Sequence, residues 1–268
     1  SKMRHVTDRQ TLKFQYGAFT VLVFHSVVFL AVIHSCSGQS DVIGPSQPIV
    51  AIVGDDVILP CHLVPVMNAF VMTVEWARPD LDPRFVLLWR VGVELASKKH
   101  PAYRGRTSLF TDRLKHGDVS LNLSSVRLSD EGRYRCFIPK LNKSPTIQLV
   151  VGAVSSPVIL VTESSSGGVL LQCEAKGWYP EPEVVWLDGE GNPVPAGPAE
   201  TLRGPDDLYT VSSKLTVEKR HSNFTCRVQQ KTINQTRETH VQVADQSFML
   251  PRTPGTPGTR YSWYFWFF

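Results

Sequence analysis

The sequence has no C-x-x-C pair and no histidine–cysteine spacing of a zinc site, so nothing in it is arranged to hold a structural metal. It also lacks a G-x-S-x-G turn, an H-E-x-x-H helix and a glycine loop of the kind that cradles phosphate. Hydrolase, metalloprotease and nucleotide-dependent chemistry therefore have no anchor. Histidine is sparse and scattered, eight in 268 residues. His62 beside Cys61 looks like a nucleophile pair on paper, but neighbouring residues of a strand face opposite ways. The expected set of catalytic residues, metal ligands and cofactors is empty, and the chain is not expected to be an enzyme.

Charge of one sign is lacking too. Of the formal net charge of +4, most comes from Lys2, Arg4, Arg9 and Lys13, set against Asp8 alone, and the remainder is close to neutral. A nucleic-acid partner needs a basic footprint that the rest of the chain does not have. Long apolar runs are short of membrane length. Ala18 to Ile33 (AFTVLVFHSVVFLAVI) is broken by His25 and Ser26 and follows a basic segment opening at Met3. With HSCSGQS behind it, residues 1–40 read as a secretory signal peptide. At the other end, residues 246–268 read as a Pro/Gly-rich stalk running into YSWYFWFF, an apolar end too brief to cross a bilayer.

What is present fits an exported chain. Four of the Asn residues, Asn122, Asn142, Asn223 and Asn234, open N-x-[ST] glycosylation motifs, where chance would give about one. Five cysteines become four once Cys36 leaves with the signal. In an oxidising compartment four suggest two bridges, and pairing in sequence order gives Cys61–Cys136 and Cys173–Cys226. Each bridge closes a long loop, worth roughly 4 kcal/mol by the chain-entropy argument.

Each cysteine span encloses a tryptophan near its start, Trp76 and Trp186. Short runs alternate with period two, as in Met72, Val74, Trp76 and in Val119, Leu121, Leu123, with turn signals VGDD, KHGD and LDGEGNP between them. Cys…Trp…Cys with many short alternating strands is the immunoglobulin sandwich pattern. The fold class expected is all-β, with two tandem immunoglobulin-like β-sandwiches. Residues 44–151 form the variable-type domain, whose longer cysteine span leaves room for an extra strand pair, and residues 152–245 the constant-type domain.

The stretch LSDEGRYRC settles whether its acidic and cysteine residues are chemical or architectural. Tyr134 stands two residues before Cys136, the place of a tyrosine corner whose hydroxyl bonds back to the chain. Gly132 permits the tight approach, and Asp130 is expected to pair with Arg106 of YRGRTSLF. These residues serve folding.

Strand parity also picks out a surface. With Tyr134 and Cys136 inward, Arg133, Arg135 and Phe137 point outward. With Trp76 inward, so do Thr73, Glu75 and Ala77. An exposed Phe flanked by Arg has the composition of an interface anchor, so Thr73, Glu75, Arg133, Arg135 and Phe137 are the expected partner-binding residues. The plainer alternative is a solvated Arg135–Glu75 cross-strand pair. The run Lys98, Lys99, His100 reads as a solvated loop, and Trp89 cannot be assigned a side. Parity also turns Asn122 and Asn223 toward solvent, while Pro145 directly after the Asn142 motif disfavours a glycan there.

The segments VEWARPD, VLLWRVG and PAYRGRTSLFTDRLKHGDVSLNLSSVRLSDEGRYRCFI resemble the variable-type domain of the butyrophilin and myelin-oligodendrocyte-glycoprotein family. LLQCEAKGWYPEPEVVWLDGEGNPVP, DLYTVSSKLTV and VQVAD resemble the constant-type domain of butyrophilins. The resemblance implies a cell-surface glycoprotein, membrane-anchored in its full-length form. It would bind a protein receptor on T cells or other immune cells and regulate T-cell activation and cytokine production. The alternative is a structural adhesion protein that binds its own kind as a homo-oligomer. The implied location is the external side of the plasma membrane, with secretion as the alternative. In the second domain Phe224 stands where a corner tyrosine would be.

Overall fold

The computed structural model describes residues 40–163, 168–218 and 222–243. The expected signal peptide with Cys36, and the expected stalk, lie outside them. Two compact units divide at Val151 and Gly152.

Short strands separated by turns build the first unit. They are β1 (Asp41–Ile43), β2 (Ile49–Ile52), β3 (Val57–Leu59), β4 (His62–Val64), β5 (Thr73–Ala77), β6 (Phe85–Arg90) and β7 (Val93–Glu94). β8 (Thr107–Leu109), β9 (Leu121–Leu123), β10 (Gly132–Phe137) and β11 (Thr146–Gly152) complete it. One sheet runs in the order β2-β11-β10-β5-β6-β7 and a second is β3-β9-β8. β7, at the edge, belongs to the extra strand pair of a variable-type sandwich. β1 pairs antiparallel with β4, so this unit includes a strand upstream of residue 44, where the sequence reading opens the domain.

Alternation explains the core. Leu59, Trp76, Leu121, Leu123, Tyr134, Cys136 and Ile147 are fully buried, each on the inward parity of its strand. Cys61 and Cys136 are bonded across the sheets. Trp76 packs in the same core, and its buried Nε1 donates to the Val119 carbonyl at 2.9 Å, which satisfies the indole's one donor. Trp89 also belongs to this core, its Nε1 donating to the Phe70 carbonyl at 3.0 Å and its ring edge-on to Phe70.

The second unit uses longer strands. These are β12 (Val158–Glu163), β13 (Val169–Trp178), β14 (Glu183–Leu187), β15 (Pro193–Val194), β16 (Glu200–Arg203), β17 (Tyr209–Val217), β18 (Ser222–Gln230) and β19 (Gln235–Val243). Its sheets are β12-β13-β17-β16 and β15-β14-β18-β19. Cys173 and Cys226 are bonded, and Trp186 is buried with Nε1 on the Ser213 hydroxyl at 3.2 Å. Phe224 packs against this core and offers no hydroxyl for a corner.

Candidate protein-binding face of the first sandwich

β10 carries three of the five residues that parity selects, so what fixes β10 fixes the candidate face. Its entry is pinned from inside. The Tyr134 hydroxyl donates to the Asp130 carbonyl at 2.7 Å. That uses its single proton, so the Tyr103 hydroxyl, 2.9 Å away, must donate to Tyr134. Tyr103 in turn accepts from Arg78 Nη1 at 2.8 Å. Arg78 Nη1 also donates to the Ser129 carbonyl, and Asp80 takes its Nε and Nη2 at 3.2 and 2.6 Å. Desolvation alone would depress the Arg78 guanidinium, but Asp80 and the tyrosine hydroxyls hold it above its ordinary range, fully charged. Burial pushes both tyrosine hydroxyls up from their usual value. Hydrogen bonding to Arg78 holds the Asp80 carboxyl below the usual range.

Asp130 is buried and forms an ion pair with Arg106, whose Nη1 reaches Oδ1 at 3.3 Å. Its other oxygen also accepts the Arg127 backbone N–H at 2.8 Å. Gly132 at φ +148° lets the chain turn against Arg78, since a Cβ there would lie 3.0 Å from Nη2.

On the opposite side of β10 the register places the outward residues in rows. Phe137 stands across from Glu75, and Glu75 from Leu88. Arg135 stands across from Ala77 and, on the other flank, Thr146. Arg133 faces Gln148, and Thr73 faces Arg90. All five expected residues therefore share the outer face of one sheet, but Thr73 and Arg133 lie toward opposite ends of it. Directly opposed side chains are within roughly 5.5 Å at Cβ, so Phe137, Glu75 and Leu88 are neighbours.

Several expectations need correction. Ala77 is buried: it lies on the outer face, but its methyl sits between Arg135 and Phe85 on the flanking strands and is covered. Phe137 is half-buried rather than exposed, with the Arg135 guanidinium 5.1 Å above its ring. Arg135 does not pair with Glu75. Its Nε donates to the Ser144 hydroxyl at 2.6 Å, while the Glu75 carboxylate has Arg84 at 3.8 Å. Lys99 is not solvated: it is 2% exposed, its ammonium on Glu94 at 2.5 Å and the Thr107 carbonyl at 2.8 Å. Lys98 beside it is exposed, and His100 Nδ1 accepts the Ala102 N–H at 3.2 Å.

Parity could have found Arg78, which follows the inward Trp76 by two. It could not place Leu88 and Arg90, because the β5–β6 register shifts at Trp76/Ala77. His62 is an exposed residue 3.6 Å from Asp118. Of the glycosylation motifs, Asn122 is half-buried on β9, its Nδ2 3.4 Å from the Ser124 hydroxyl. Asn142, Asn223 and Asn234 are exposed, Asn142 and Asn234 in turns at φ +52° and +50°.

A trough of about 690 Å³ in the second unit is the rival surface, between Leu187–Gly191 and the outer residues of β18 and β19. Its polar groups already have partners: Arg227 bonds Glu238 at 2.6 Å, Thr225 bonds His240 at 2.8 Å, Asp188 accepts the Glu190 and Asn192 backbone N–H groups at 2.9 and 2.8 Å, and Glu190 accepts Asn192 Nδ2 at 3.4 Å. Among the described residues no cluster of His, Cys, Asp or Glu could hold a metal ion, and no helix is long and apolar enough to cross a membrane.

Comparison with known proteins bears on the whole described region. Residues 44–151 match the immunoglobulin V-set domain model. Residues 154–238 match the model described as the butyrophilin subfamily 3 member A2-like Ig-C domain. The chain is 35% identical over 222 residues to Homo sapiens butyrophilin subfamily 1 member A1, covering 81% of this chain and 41% of that protein. It is 33% identical over 222 residues to Homo sapiens butyrophilin subfamily 2 member A2, covering 81% and 42%. The crystal structure of bovine butyrophilin aligns with TM-score 0.66 and 34% identity, over 77% of this chain and 99% of that one. The chain spans about two fifths of the length of the curated relatives it matches.

Proposed function

Because the chain belongs to the butyrophilin family of immunoglobulin-domain proteins, we propose that it is a cell-surface ligand for a receptor on T cells or other immune cells. In this reading it docks through the outer face of β5, β6 and β10 and thereby regulates T-cell activation and cytokine production. The family is non-enzymatic and its members are membrane-anchored cell-surface proteins, which supports display on the external side of the plasma membrane.

The observation that carries the reading is half-buried Phe137 and, on the far side of Glu75, half-buried Leu88, on a sheet face that also carries exposed Arg90, Arg133 and Arg135. Aromatic and Arg anchors in a partly desolvated centre are what binding hot spots are made of. The test uses tetramers of the chain, made in mammalian cells, on activated T cells. Phe137→Ala is expected to lower binding at least tenfold with melting unchanged within about 2 °C. Unchanged binding with unchanged melting would remove this face from consideration. Clumping of cells that display the chain, without T-cell binding, would instead favour the adhesion role.

A further inference from the structure

We propose that the partner received by this face is an acidic protein surface. The inference rests on the reading that the face binds at all, and it adds the chemistry of what binds there.

The charges on the face are one-sided. Arg84, Arg90, Arg133 and Arg135 lie on it, and within β5, β6 and β10 the one carboxylate is Glu75, held loosely by Arg84 at 3.8 Å. Arg90, Arg133 and Arg135 are exposed, and Arg84's side chain is 60% exposed. Two of the four are held over rings: Arg135 over Phe137 and Arg84 over Phe85, each at 5.1 Å. Among the described residues Arg135 spends only its Nε, on Ser144, which leaves both Nη groups to donate. A guanidinium that is already positioned loses less freedom when it takes a carboxylate with two parallel bonds. Face-to-face contact with a second copy would bring like charges together across a two-fold axis, which disfavours self-pairing here. A sulfated polysaccharide needs a continuous cationic track. Here the arginines are interrupted by half-buried Phe137 and Leu88, and Glu75 stands between those two to repel sulfate.

The experiment uses the same tetramers on activated T cells, with Arg90→Glu and the double variant Arg133→Glu, Arg135→Glu, each checked for unchanged melting. Placing the changes on two strands guards against one variant failing to fold. Charge reversal is expected to lower binding about tenfold or more, and raising salt severalfold should slow association about tenfold. Prior treatment of the cells with heparinase and sialidase should leave binding intact. If both reversal variants bind normally while Phe137→Ala does not, the acidic-partner inference falls and the face survives. Loss of binding after heparinase or sialidase also overturns it, in favour of a glycan. If Phe137→Ala and the reversals all bind normally, the face itself is wrong.

Discussion

A single buried guanidinium organises the entry to β10. Arg78 sends charge-assisted hydrogen bonds to Tyr103, Ser129 and Asp80, and Tyr103 passes the chain on to Tyr134 and the Asp130 carbonyl. Tyr134→Phe removes the last proton and leaves the Asp130 carbonyl and the Tyr103 hydroxyl short of a partner, so it should cost about 1–3 kcal/mol at neutral pH. The two tyrosines also set an alkaline limit. Burial raises both, whereas the unfolded chain ionises near 10.0, the ordinary value. Above about pH 10 the unfolded state therefore binds fewer protons than the folded one, and stability falls as pH rises. Melting followed from about pH 9 to about pH 11 should show that loss, and Tyr134→Phe should show a shallower one. The lowered Asp80 acts at the other end: its contribution is present above the ordinary value of 3.8 and is lost as pH falls below it. Asp130→Ala strands the nearly buried Arg106 guanidinium and frees the Arg127 N–H, which should cost about 3–5 kcal/mol in urea titration of the first unit.

At the scale of strands, period-two reasoning succeeds wherever the ladder is regular. Trp76, Leu121, Leu123, Tyr134 and Cys136 are buried, and Arg133 and Arg135 are exposed, because one face of each strand meets the core. It fails where something other than pleat decides exposure. Ala77 is too small to escape its neighbours. The register shift at Trp76/Ala77 hides the parity of β6, and with it Trp89, Leu88 and Arg90. Lys99 lies in no strand, and only the fold brings Glu94 and the Thr107 carbonyl to its ammonium. Gly132, by contrast, is readable from its place in the corner. Gly132→Ala should be more costly than Gly54→Ala. Gly54 also has positive φ (+94°) but has nothing within 4 Å of a new Cβ, whereas at Gly132 the Cβ meets Arg78. Strain of this kind is worth about 1–3 kcal/mol, and the two unfolding midpoints compare a site where backbone strain acts alone with one where the contact with Arg78 adds to it.

For the molecule as a whole, the strands of the candidate face carry no glycosylation motif. Asn122 is on β9, Asn142 in the turn between β10 and β11, and Asn223 and Asn234 in the second unit. Glycopeptide mass spectrometry is expected to find glycans at Asn122, Asn223 and Asn234, and little at Asn142 with Pro145 after its motif. Enzymatic removal of the N-glycans should leave T-cell binding intact. The sandwich pattern was legible because cystine, tryptophan and tyrosine at fixed steps are demands of the core. The chemistry of the face was less so, since surface side chains answer to a partner absent from the chain. One consequence is practical. The cations on those strands are all guanidinium groups, and the nearby Lys99 amine is shut inside. Biotin or dye esters, which attack amines, should mark Lys98, Lys115 and Lys140 and spare the sheet, so a chain labelled this way keeps its grip on cells. Phenylglyoxal, which attacks guanidines, should blunt it.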